Sequence, residues 1–189
     1  MQNLPNYWIN IKNIKNYIID DPLLDWLNLY GKNNNFEYDN KKKDLFKEFI
    51  KKKSDIFKKE IYKDVMNKNK TIMVDKNNSI RNKISSTLKY IMEGRDIILD
   101  GIIFDNDLNM YGNCDIIIRS DKINKIFNSN YEESQIGCKL HNHFHYVIIN
   151  LKCIKIKISK NSSIINTKKN IVFKSENIML NNCLSKIQG

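Results

Sequence analysis

Two prolines and six glycines in 189 residues leave little room for linkers, and with 41% hydrophobic and 28% charged residues the composition excludes a wholly disordered chain. Cysteine is equally sparse. Cys114, Cys138, Cys153 and Cys183 are widely spaced and form no C-x-x-C pair, which excludes a zinc knuckle and leaves reduced, mostly buried thiols as the expectation. No run approaches the roughly 18 consecutive apolar residues of a membrane helix. The first residues, with Pro5, Trp8 and a polar interior, lack a basic stretch followed by an apolar one, so no signal peptide is expected. A soluble, intracellular protein follows as the expectation, with no membrane partner. Internal repeats are lacking too.

What is abundant is lysine, asparagine and isoleucine. Lys and Arg number 32 against 21 Asp and Glu, a net charge of +11. That excess points to a polyanionic partner, because clustered cations neutralise phosphates and release counterions. The alternative is a solvated lysine surface. The length fits one domain, or a compact core with a helical extension.

Along the chain, Asp21 as N-cap, Pro22 at the first helical position and Gly31 past the end bound a short helix. Residues 32–44 read as a surface connection. From Asp44 to Asn67 apolar residues recur at helical spacing through Leu45, Phe46, Phe49, Ile50, Phe57, Ile61 and Val65, with Ser54 as an N-cap dividing two helices. Ser79 to Gly94 is another helix, with Ile80, Ile84, Leu88, Ile91 and Met92 as its buried stripe. The period then changes. Residues 97–104 and 114–119 read as strands joined through the turn signal Asp105-Asn106-Asp107, residues 121–142 as a loop or short helix, and 145–151 as a third strand. Cys153 to Ser159 alternates strictly, as a half-buried strand does, and Val172 to Ile187 is helical.

One constellation carries chemistry. Asp115 opens an apolar strand, and about thirty residues later Asn150 and Lys152 stand two positions apart, a spacing that gives both side chains one face of a strand. Hydrolysis of a phosphodiester uses a hard divalent cation held by carboxylates, with a lysine to position water and stabilise developing charge. The competing reading makes Asp115 an ordinary strand-start residue. His141, His143 and His145 would share the opposite strand face and form either an independent metal site or packed histidines.

The segments Gly112-Asn113-Cys114-Asp115-Ile116-Ile117-Ile118-Arg119-Ser120-Asp121 and Tyr146-Val147-Ile148-Ile149-Asn150-Leu151-Lys152 resemble the PD-(D/E)XK nuclease superfamily, in the RecB-like form found in giant DNA viruses. Asp21 to Leu27, Thr87 to Gly94 and Phe173 to Gly189 extend the likeness in the same order. The resemblance implies an α/β (α+β) fold with a restriction-endonuclease-like core, a mixed β-sheet flanked by helices. It implies an N-terminal helical region over 1–78 and a nuclease-like core over 79–189, truncated at its C-terminus. It further implies metal-dependent DNA cleavage with Mg²⁺ or Mn²⁺ if active, DNA as partner, and the host cytoplasm or nucleus as location.

Carried over by position, the resemblance makes Asp115 the metal-binding aspartate and Lys152 the catalytic lysine, with Arg119 and Glu176 towards substrate. The second metal-binding acid falls on Asn150, an amide that offers only a neutral oxygen. Lys58 stands where the family has a glutamate reaching the metal, and a lysine there repels a cation. Glu176 and Leu180 replace the family's Gln and Tyr. The expectation is an impaired or lost active site with residual DNA binding. The alternatives are an active nuclease with an acid migrated to Glu60, Asp100, Glu132, Glu133 or Glu176, or a non-catalytic interaction protein.

Overall fold

A computed structural model describes residues 8–36, 45–68, 70–129, 131, 137–140, 144–154, 157–161 and 168–189. In chain order the elements are β1 (Ile9–Asn10), α1 (Ile14–Ile18), α2 (Pro22–Trp26), α3 (Leu45–Lys68), β2 (Thr71–Met73), α4 (Ile80–Met92), β3 (Ile97–Asp105), β4 (Met110–Arg119), α5 (Ser120–Phe127), β5 (Tyr146–Ile149) and α6 (Lys168–Gln188). The five strands form one mixed sheet flanked by helices, the expected α+β class.

β3 and β4 make the central antiparallel hairpin, with Asp105 opposite Met110 at the turn and Ile97 opposite Ile118 at the open end. β2 adds parallel to the outer edge of β3. The other edge of β4 is shared: β1 runs parallel to Met110 and Tyr111, and β5 runs antiparallel to Ile116 through Arg119. Residues before 79 therefore supply β1 and β2 to the same sheet, besides helices.

Each sheet face carries its own apolar layer. On one side Ile98, Ile103, Cys114, Ile117 and Ile148 pack with Ile91 of α4 and Leu180 and Leu184 of α6. On the other, Ile97, Leu99, Ile116 and Ile118 pack with Tyr62 and Val65 of α3 and Ile123 of α5. The strands are buried on both faces, which explains why β3 and β4 read as near-continuous apolar runs rather than clean alternations.

Face assignment in β3 changes midway. Ile97 and Leu99 face α3, yet Gly101, at the same parity, faces Thr87 of α4, where an added Cβ would lie 2.8 Å from Ile117 and 3.2 Å from Thr87. The break is at Asp100, whose φ of +54° is left-handed. Aspartate is among the few side chains that tolerate that region, because its short polar group bonds locally.

Several sequence expectations are met. α4 is capped by the Ser79 hydroxyl, which accepts from the Asn82 amide, and is ended by Gly94 at φ +68°. Pro22 stands at the start of α2.

Others are corrected. α3 is one continuous helix through Ser54, not two. It runs past Ser54 because an N-cap residue competes only where a break leaves amides unpaired, and the surrounding lysines are good helix formers. The helical path that α2 begins continues beyond Gly31, through a π turn over Leu27–Gly31 and a 3₁₀ turn over Lys32–Asn34, and ends at Asn35, whose φ is +60°. Asp21 makes no side-chain cap. β5 stops at Ile149, so Asn150 and Lys152 lie beyond the strand. Beyond them, Cys153, Ile154 and Ile158 are exposed and the described residues of 153–159 form no extended strand, since alternation supplies no partner edge by itself. In α4, Ile80 and Met92 are exposed rather than part of the stripe.

Candidate functional site: two facing carboxylates closed by a lysine

Where β3 changes face, Asp100 and Asp115 stand across the hairpin from one another, between the registered pairs Leu99–Ile116 and Gly101–Cys114. Two like charges opposite each other on neighbouring strands destabilise a sheet. Here α3 supplies the counter-charge. Lys58 Nζ lies 2.6 Å from Asp100 Oδ1 and 2.8 Å from Asp115 Oδ1. One turn further along the same helix face, Tyr62 Oη stands 2.9 Å from Asp100 Oδ1 and 2.8 Å from the Asp115 carbonyl oxygen, and its one proton serves either acceptor. Lys76 Nζ approaches Asp100 Oδ2 at 3.3 Å from the exposed side.

The electrostatics follow from this cluster. Burial pulls the Lys58 ammonium down, but the hydrogen bonds and charges of Asp100 and Asp115 outweigh it and hold the group above its ordinary value. Burial likewise raises the Asp100 carboxyl, and Lys58 more than reverses that, leaving it below its ordinary value. The Tyr62 hydroxyl is pushed far up by burial and by the Asp100 charge, and stays a donor.

Asn150 and Lys152 reach the same region by a route other than strand parity. In the gap that β1 and β5 leave along β4, Asn150 Oδ1 accepts from the Asp115 amide at 3.2 Å, and Asp115 Oδ2 accepts from the Leu151 amide at 2.7 Å. Asn150 Nδ2 donates to Asn177 Oδ1 at 2.7 Å. One residue back on α6, Glu176 is buried and accepts from Lys152 Nζ at 2.8 Å, and the Lys152 ammonium lies over the Phe173 ring. Asp115, Asn150, Lys152 and Glu176 thus form one connected network through α6.

The remaining candidates lie elsewhere. Arg119 is four residues along β4 from Asp115, roughly 13 Å at strand rise, and is bound into the fold: it pairs with Asp121 and Asp96, donates to the Gly94 carbonyl and covers the Phe144 ring at 3.7 Å. Glu60 pairs with Lys63 on the exposed side of α3. His145 is buried with Nε2 2.9 Å from Tyr131 Oη. His141, His143, Glu132 and Glu133 lie outside the described residues.

A divalent cation does not fit this donor set. Mg²⁺ requires near-octahedral oxygen ligands at about 2.0–2.1 Å, whereas the position shared by the two carboxylates is taken by the Lys58 ammonium, and the Asn150 oxygen is turned to the Asp115 amide. Among the described residues no group of three or more His, Cys, Asp or Glu side chains could hold a metal ion.

In the sequence Asp100 stands out only as one of five acids to which a metal ligand could have migrated, and nothing there draws notice to Tyr62 or Asn177. The signals existed. A turn at 106–109 sets Asp105 opposite Met110, and counting back five places puts Asp100 opposite Asp115. Tyr62 follows Lys58 by four residues, hence on the same helix face. Comparison with protein-family models, with curated proteins and with solved structures finds no match.

Proposed function

We propose that this chain is a nuclease-like DNA-binding protein in which phosphodiester cleavage has been lost. The observation that carries this reading is the Lys58 ammonium, hydrogen-bonded at once to Asp100 and Asp115 in the place a divalent cation would occupy between two carboxylates. The network of Asp115, Asn150, Lys152 and Glu176 supports descent from a hydrolytic site of the PD-(D/E)XK kind, because it places an acid, a neutral amide and a lysine around one strand edge. It speaks equally against turnover: Lys152 is neutralised by Glu176, and the charge stabilisation that a metal gives a phosphoryl transition state has no source in two carboxylates already paired with an ammonium. The excess of lysine supports association with a polyanion.

Incubating the chain with linear single- and double-stranded DNA and Mg²⁺ or Mn²⁺ tests the reading. No product is expected, together with binding that weakens steeply as salt rises, since counterion release makes affinity fall linearly on a logarithmic scale. Cleavage that disappears with Asp115→Ala overturns the loss of activity. Absence of DNA binding at low salt overturns the partner.

A further inference from the structure

The first half of α3 leaves large apolar side chains in solvent. Phe46 is 72% exposed, Phe49 53% and Phe57 41%, with Ile50 and Ile56 beside them. Phe46, Ile50 and Phe57 fall at i, i+4 and i+11, so they form one row along the helix, with Phe49 and Ile56 flanking it. Lys53 shares the face of the row, with its Nζ 5.5 Å over the Phe49 ring, while Lys52 and Lys59 stand on the far side of Phe49 and Ile56 and Lys51 lies to the other side of the row. Beside Ile50 the row opens into a groove of about 410 Å³, with Ile50, Lys51, Ser54 and one acid, Asp55, from α3 and Lys152, Cys153 and Ile154 from the segment after β5. Lys152 is the residue that also reaches Glu176, so the groove leads from the aromatic row to the network around Asp115.

We infer that the outward face of α3 and this groove form a stacking platform for single-stranded nucleic acid. The inference rests on the DNA-binding reading above and names the strand form that reading leaves open. Exposed rings flanked on both sides by lysines match the two demands of an unpaired strand: base faces to stack and phosphates to neutralise. A duplex offers only the second, because its base faces are already stacked on one another. A second copy of the chain is disfavoured by charge, since the Lys51–Lys53 run of each copy would meet that of the other.

The test measures binding of the full chain to an oligothymidylate of about 20 nucleotides, to an abasic strand of the same length, and to a duplex, by fluorescence anisotropy over a range of salt. Phe46→Ala with Phe57→Ala is expected to weaken oligothymidylate binding about tenfold, to leave duplex and abasic-strand binding within about twofold, and to leave the salt slope unchanged. Replacing Lys51, Lys52 and Lys53 by Ala is expected to weaken all three and to lower the slope by about one for each phosphate no longer neutralised. Both rings are exposed, and an unchanged urea midpoint shows that the variant folds. Wild-type affinity for oligothymidylate in the Phe variant, or equal losses on all three ligands, overturns the platform. So does an outcome in which the Phe variant only dissolves a dimer seen by sedimentation, or only releases the chain from anionic phospholipid vesicles. Duplex binding with no effect of the rings defeats this inference alone. Binding to no DNA at all defeats the DNA-binding reading with it.

Discussion

Removing the Lys58 ammonium leaves the Asp100 and Asp115 carboxylates facing each other across the hairpin, with Tyr62 and the more exposed Lys76 as the remaining partners. Lys58→Ala is therefore expected to destabilise the fold by about 2 kcal/mol, below the value for a fully buried pair because the site is partly exposed, as read from urea unfolding. The pH dependence has a definite sign. Asp100 is held below its ordinary 3.8, so its share of stability is present above that value and lost as pH falls further. Lys58 is held above its ordinary 10.5, so its share is present below that value and lost as pH rises beyond it. The Tyr62 hydroxyl is held far above its ordinary 10.0, so it too costs stability once pH rises beyond that value. The contribution of the cluster is flat between 3.8 and 10.0, and Lys58→Ala removes the acid flank that Lys58 gives Asp100 and the Lys58 share of the alkaline flank. A complementary reversal, Lys58→Glu with Asn150→Asp, supplies acids in place of the ammonium and the amide and is expected to acquire Mg²⁺ affinity measurable by calorimetry. Absence of heat in that variant sinks the idea that Lys58 replaces a cation. At this scale the sequence singled out Asn150 as a neighbour of Asp115 but for the wrong reason, and it missed Tyr62. The amide lies beyond β5 and is held by the Asp115 N–H, not by strand parity.

The continuity of α3 is testable at the element scale. Were Ser54 an N-cap, position 55 would begin a new helix and accept proline. In one continuous helix Asp55→Pro removes a backbone hydrogen bond and clashes with the preceding turn. A loss of about 3 kcal/mol, with a drop in far-UV helicity, is expected, and an unchanged urea midpoint would restore the two-helix reading. A second element contact is set by Gly112 of β4, where an added Cβ would collide with Leu180 of α6 and crowd Ile11. Gly112→Ala is expected to lower stability by about 1–3 kcal/mol, visible as a lower denaturation midpoint, since overpacking forces backbone shifts. Elements with local signals were legible. α4 carries its own cap and stop in Ser79 and Gly94, and the β3–β4 hairpin carries its turn. The described residues of 153–159 show the opposite case. Their alternation met the local requirement for a strand, but pairing needs an edge, and the free edge of β4 is divided between β1 and β5.

For the whole molecule, the +11 charge is a statement about association rather than fold, and its direct consequence is the steep salt dependence of DNA binding proposed above. No helix among the described residues is long and apolar enough to cross a membrane. The sequence by itself determined the composition-level exclusions, the alternation of helical and strand periods that makes an α+β sheet, and the presence of Asp115, Asn150, Lys152 and Lys58 as the residues to watch. Those depend on near neighbours in the chain, through periodicity, capping and residue chemistry. Only the tertiary structure decided that Asp100 takes a left-handed conformation, that α3 docks Lys58 and Tyr62 over the Asp100–Asp115 hairpin pair, and that α6 brings Glu176 to Lys152. Each of those pairings spans more than twenty residues of chain except the hairpin pair itself, which spans fifteen. Their partners are fixed by which helix covers which sheet face, and no local pattern in a single chain specifies that choice.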